Sequence, residues 1–165
     1  MTIRKMVHKY WLMKTEPSVF SFEDLIRSSQ KTTAWEGVRN YQARNFMRDE
    51  MRLGDKVFVY HSNSDILGIM GTAEIVREAY PDESVFDPKS RYFDDEAFKK
   101  NINPWVLVNI RAISRFLNPV TRDRLKKEPA LAGMMVLKKG SRLSIQPVAK
   151  GAFLKIIELG EPVIL

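Results

Sequence analysis

Apolar and polar positions alternate in short blocks along this chain rather than in long periodic runs. Tyr10 to Lys14 is an apolar run stopped by Thr15, Glu16 and Pro17, the pattern of a strand that breaks ahead of a proline. Ser21 precedes Phe22, Leu25 and Ile26, with Asp24 placed to reinforce an N-cap, so a short helix follows. Asn40 is set to cap a longer helix from about Tyr41 to Met51, whose Ala43, Phe46 and Met47 share a face. Leu53-Gly54-Asp55 then turns the chain. In Lys56 to His61, Val57 and Val59 make one face apolar and Phe58 and Tyr60 the other, as in a central strand covered on both sides. Gly68 to Glu78 resumes extended structure, and Gly68 and Gly71 admit the bulges that a strongly curved sheet needs.

Pro81 to Asn103 has little periodicity and reads as a long excursion with a short helix near Asp94 to Lys100; loops of that length in compact domains are often functional. Trp105 to Ala112 alternates with Val106, Val108, Ile110 and Ala112 inward, and Arg142 to Val148 is a further strand closed by Pro147. Thr121 to Lys127, Ala130 to Leu137 and Ala149 to Leu159 have helical spacing. About five strands among short helices predict a small mixed α+β barrel rather than βαβ units. The length of 165 residues, with no repeat or linker, predicts one domain.

Composition narrows the chemistry. Cysteine is absent, which excludes disulfides, thiolate zinc sites, iron–sulfur clusters and cysteine nucleophiles. No apolar stretch approaches the roughly 20 residues of a membrane span, and residues 1–9, with Arg4 and Lys5, lack the apolar run of a signal peptide. These residues read as a short N-terminal extension. The expected setting is cytoplasmic, nucleoid-associated or, in a eukaryote, nuclear. The net charge of +7 favours an anionic partner such as nucleic acid, and its distribution is uneven. Residues 1–61 carry +4, 62–105 carry −4 and 106–165 carry +7, so the two basic ends, once brought together, would form a positive face.

Gly68-Ile-Met-Gly71 lacks the Lys and Ser/Thr of a phosphate-binding loop. His8 and His61 are the only histidines; a lone histidine at a strand end, such as His61, is either structural or faces a cavity mouth. Asp82, Asp87 and Lys89 are the sharpest enzymatic alternative, since two carboxylates and a lysine can hold Mg²⁺ against a scissile phosphate. They crowd into one loop interrupted by Pro88, and a solvated acidic loop is the plainer interpretation.

Trp35-Glu-Gly-Val-Arg-Asn-Tyr-Gln-Ala-Arg44 is the most unusual stretch. It sets a large aromatic face beside a glycine, with Arg39, Asn40 and Gln42 ahead of a helix start. That combination suits an anionic or planar ligand; alternatively Trp35 fills the core and Asn40 only caps a helix. Ser141 to Pro147 is a second polar-rich segment, with Ser141, Leu143 and Ile145 alternating against Arg142, Ser144 and Gln146.

At these residues the sequence resembles the EVE domain family, a branch of the PUA-like superfamily related to the YTH and ASCH domains. The matching pieces are Tyr10-Trp-Leu-Met-Lys-Thr-Glu-Pro17, Trp35 to Asn45, Gly54 to Asn63 and Ser141 to Val148. The resemblance covers Tyr10 to Ile157 in order and implies an open PUA-like β-barrel of five to six strands with helices around it, occupying residues 10–165. It also implies a pocket for a single base of DNA or RNA, often a modified cytosine, with no cofactor and no metal. By the same resemblance Trp35 corresponds to the cage tryptophan of YTH readers and stacks on the base. Asn40, His61 and Ser62 are expected around the opening, and Ser141, Leu143, Gln146 and Pro147 on the opposite wall. Lys14, Arg39 and Arg142 are expected to meet phosphate, with Tyr92 or Phe93 closing the cage.

Three functions follow as expectations. The first is a non-catalytic nucleic-acid module that accepts a modified base. The second is a nucleic-acid-processing enzyme using Asp82, Asp87 and Lys89 with Mg²⁺. The third is a module for a small metabolite, whose affinity would not depend on salt.

Overall fold

The computed structural model describes residues 7–165; residues 1–6 of the expected extension lie outside that range. Strand β1 (Tyr10–Thr15) runs parallel to β3 (Lys56–His61), which pairs antiparallel with β4 (Gly68–Pro81). The long β5 (Val106–Thr121) follows β4, and β6 (Ile145–Val148) lies on the other side of β1. Two three-residue strands, β2 (Thr32–Ala34) and β7 (Pro162–Ile164), share the outer edge of β5. The order β2-β5-β4-β3-β1-β6 leaves the ends unjoined, so the chain forms an open, mixed α+β sheet of seven strands among the described residues. The sequence suggests five to six; β2 and β7 are too short for alternation to mark them.

Both faces of the sheet are covered, as the two apolar faces of β3 require. Trp11, Met13, Val57 and Val59 point into one core, together with Trp35, Met47, Met51 and Ile110. Leu12, Phe58 and Tyr60 point into the other, with Ile69, Phe116, Leu125 and Ile156. Trp11, Leu12 and Met13 are fully buried, each contributing about 1.5–3 kcal/mol relative to exposure. Curvature enters where the register shifts between Val59 and Tyr60 and between Ile69 and Gly71. A Cβ at Gly68 would lie 2.7 Å from the Val120 carbonyl oxygen, and one at Gly71 2.6 Å from the Phe22 ring, so only glycine permits this approach.

Helices α1 (Phe22–Arg27), α2 (Tyr41–Asn45), α3 (Asp95–Lys100), α4 (Arg122–Lys127) and α5 (Lys150–Gly160) flank the sheet. The N-cap expected at α1 forms, as a full capping box: Ser21 Oγ accepts from Asp24 N at 3.0 Å, and the Asp24 carboxylate accepts from Ser21 N at 2.8 Å. Asn40 caps α2 by accepting from Ala43 N at 3.0 Å. The helix expected to reach Met51 widens instead into a π-type turn over Phe46–Glu50, which leaves Met47 and Met51 both fully buried.

Other expectations are corrected. Ala130 to Leu137 is not a helix: it contributes to two single 3₁₀ turns, Pro129–Leu131 and Met135–Leu137, with Gly133 between them. The strand expected from Arg142 begins only at Ile145, because Gln146 turns its side chain back onto the Leu143 carbonyl. The strand expected from Trp105 to Ala112 continues to Thr121. Among the described residues, no helix is long and apolar enough to cross a membrane.

Candidate functional site

A cavity of about 260 Å³ opens where the C-terminal end of β1 meets β2 and the loop after it. The end of β1 supplies Lys14 and Thr15, and the turn beyond it supplies Val19 and Phe20. That turn is pinned by its own chain, since Thr15 Oγ1 donates to the Phe20 carbonyl at 2.7 Å. Strand β2 brings Thr33 and Ala34, and Trp35 follows with its backbone N–H on the Val108 carbonyl at 2.8 Å. The volume is just below the roughly 300–1,000 Å³ of drug-sized sites, a size for a single ring system.

Trp35 is only 6% exposed, and Phe20 meets its ring edge-on, 6.5 Å between centroids. The indole N–H groups of Trp11 and Trp105 donate to Asp55 and Asp94, whereas that of Trp35 has no partner among the described residues. No buried polar side-chain atom among those residues is left unsatisfied, so the Trp35 N–H is not fully sealed in the core. The tryptophan is therefore both a core residue and a cavity wall.

Tyr92 forms a further wall. It reaches the cavity because Gly37, at φ +80°, has no Cβ; one built there would lie 2.6 Å from Tyr92 Cε1. Arg39 fixes that arrangement. Its Nη2 donates to the Tyr92 carbonyl at 2.8 Å, its Nη1 to Asp82 at 3.1 Å and to the Val38 carbonyl at 3.0 Å. The guanidinium also lies over the Tyr92 and Trp105 rings. Arg39 thus joins the loop after Trp35 to the 81–103 excursion rather than standing at the mouth.

The expected site residues separate into groups. Lys14 and Trp35 line the cavity, and so do Tyr92 and Arg91 from the excursion. Phe93 packs instead on Phe98 beside a neighbouring hollow. Ser62 adjoins Thr15, donating its backbone N–H to the Thr15 carbonyl at 2.9 Å. Asn40 is engaged at the start of α2. His61 Nε2 accepts the Phe22 N–H at 3.0 Å beneath α1, and burial lowers its pKa, which keeps the imidazole in the neutral form that bond needs.

The wall expected from residues 141–147 is arranged differently. The Ser141 carbonyl accepts from Lys14 Nζ at 3.3 Å, and Leu143 packs against the first core. Gln146 is buried, its amide nitrogen donating to the Leu143 carbonyl at 2.8 Å and to Ser141 Oγ at 3.3 Å. Arg142 is exposed. Pro147 lines a separate groove with Met134 and Met135.

Sequence reasoning did not single out Thr33, Ala34, Glu36, Phe20 or Arg91, all of which line the cavity. Only the unusual Trp35 segment signalled the place. Asp82 is buried against Arg39 and also accepts from Ser84 N, while Asp87 accepts from Lys89 N at 2.9 Å. Among the described residues, no three His, Asp or Glu side chains group to hold a metal ion.

The sequence profile of the EVE domain matches residues 9–159, and the chain belongs to that family. Thymocyte nuclear protein 1 of Gallus gallus is 40% identical over 95% of this chain and 71% of the relative. A protein of Leishmania major has the same fold at TM-score 0.86, with 43% identity, covering 94% of this chain and 96% of that one. Human THYN1, solved in complex with 5-methylcytosine-containing DNA, superposes at TM-score 0.82 with 38% identity over 93% of this chain and 98% of that one.

Proposed function

We propose that this chain is a non-catalytic nucleic-acid module that takes one base, a modified cytosine foremost, into the cavity beside Trp35. The observation that carries the proposal is an aromatic-walled cavity of single-ring size with Lys14 and Arg91 beside it. The human relative's complex with 5-methylcytosine-containing DNA supports the same choice of partner. Trp35, Phe20 and Tyr92 offer π-surface to a flat heterocycle, the Trp35 N–H offers a donor to a base acceptor, and the two cations suit the backbone.

Energies decide what such a module can discriminate. Extracting a paired base costs a few kcal/mol, while one stacking contact returns roughly 1–3 kcal/mol. A buried methyl adds about 0.8 kcal/mol. These terms are comparable, so one methyl shifts binding severalfold, and mismatched or single-stranded sites bind better than intact duplex. The processing alternative has lost its main carboxylate, because Asp82 is buried and paired with Arg39.

The test is binding of oligonucleotides with cytosine or 5-methylcytosine at one position, at several salt concentrations. Wild type is expected to prefer the methylated strand severalfold, and Trp35→Ala to lose that preference while keeping salt-dependent binding. Equal affinity for both strands by wild type, or full preference in Trp35→Ala, overturns the assignment. Cleavage of labelled strand with Mg²⁺ would restore the processing alternative.

A further inference from the structure

We infer that Lys14 and Arg122 together form a phosphate site beside the Trp35 cavity, holding the phosphodiester next to the nucleotide whose base is inserted. The inference rests on the base-accepting function proposed above and adds where the strand's backbone lies. Lys14 is itself a cavity residue. Its ammonium leans on the Ser141 carbonyl at 3.3 Å, and Arg122 Nη2 leans on the Leu137 carbonyl at 3.5 Å. The two cations therefore hold opposite ends of one turn, and Lys138 and Lys139 lie between those two carbonyls in sequence.

No carboxylate is bonded to either member of the pair among the described residues, and the one acidic residue lining the cavity with Lys14 is Glu36. Two other places in the fold set cations against acid: Lys56 and Arg111 share Glu74, at 3.2 and 2.5 Å, and Arg39 has Asp82. Among the described residues no ion pair includes Lys14 or Arg122. Residues 129–157 contain no Asp or Glu at all, while carrying Lys138, Lys139, Arg142, Lys150 and Lys155. Half-burial and, after it, the nearby Arg122 guanidinium both depress the pKa of Lys14, so the two like charges repel in the free protein.

An arriving anion relieves that repulsion. The main chain beneath both side chains is fixed: Arg122 N donates to the Leu67 carbonyl at 2.9 Å, and Lys14 N to the Ser144 carbonyl at 2.8 Å. A planar guanidinium fork beside a compact ammonium is a combination that recognises phosphate oxygens. Because Lys14 also lines the cavity, the phosphate it meets belongs to the inserted nucleotide or its immediate neighbour.

The experiment measures affinity for a single-stranded oligonucleotide carrying 5-methylcytosine, and for its unmodified counterpart, from 50 to 200 mM salt. Arg122→Gln and Lys14→Met are each expected to weaken binding to both strands by the same factor. Each should flatten the slope of log affinity against log salt by about one and leave the methyl preference intact. Arg77→Gln, on the far part of β4, should leave the slope unchanged. Full affinity and full slope in Arg122→Gln overturn the site even if Lys14→Met fails to fold. An equal flattening by Arg77→Gln, or loss of preference without flattening, overturns it too. A wild type with no methyl preference whose slope still depends on Arg122 keeps the phosphate site and removes the base-accepting function instead.

Discussion

Arg39 donates to Asp82 at 3.1 Å across the gap between the loop after Trp35 and the excursion that carries Tyr92. Asp82 is buried to 1% side-chain exposure, so removing its partner leaves a charge in the interior. Loss of one partner of a buried pair costs about 3 kcal/mol or more. Arg39→Ala is expected to lower Tm by about 10 °C, at roughly 2–4 °C per kcal/mol for a domain of this size. Hydrogen exchange should show residues 82–94 opening first, and the methyl preference should fall because Tyr92 loses its tether. Lys at position 39 restores the charge but not the two-pronged geometry, so Arg39→Lys should recover only part of the stability.

Gly37→Ala tests the Tyr92 wall from the other side. The left-handed backbone at φ +80° costs a side chain roughly 1–2 kcal/mol, and the new methyl displaces the Tyr92 ring. Gly151 in α5 has open space around it, so Gly151→Ala is expected to stabilise by about 0.5–1 kcal/mol. Thermal unfolding of the two variants should move in opposite directions.

Trp35→Phe separates the stacking surface from the indole N–H. A phenyl ring keeps contact with Phe20 and most of the π-face. This variant is expected to remain folded and to bind the methylated strand several times more weakly than wild type, but better than Trp35→Ala. Calorimetric titration of the three proteins checks the order.

His61 gives the fold a defined pH response. Its imidazole must be neutral to accept the Phe22 N–H, and burial depresses its pKa below the usual 6.5. The unfolded chain therefore takes up a proton at a higher pH than the folded one, and stability rises with pH across that interval. Wild type should lose stability as pH falls from about 7 toward 5, and His61→Gln should lose much of this dependence. Denaturant midpoints of both proteins at matched pH values measure it.

Much of the fold was legible because local chemistry and burial agreed. The two-sided apolar pattern of Val57 to Tyr60 located the sheet's centre, and Ser21 and Asn40 cap the helices their positions suggest. Strand β2 escaped notice because Thr32, Thr33 and Ala34 owe their conformation to pairing with Asn109 to Arg111, a long-range contact with no local mark. The lining of the candidate cavity is legible only in part for the same reason. Trp35 is marked by its residue type, whereas the partners of Arg39, Asp82 and the Tyr92 carbonyl, lie more than 40 residues away in sequence. His61 and Gln146 likewise have polar groups that the chain itself employs.

The outer margin of β5 is sheathed by two short pieces, Thr32–Ala34 and Pro162–Ile164, in place of one long ribbon. Each offers a visiting strand no more than three residues of ladder, and Pro162 cannot donate a hydrogen bond to it. A curved sheet left open at this side thereby presents little template on which copies of the chain could zip together and seed aggregates.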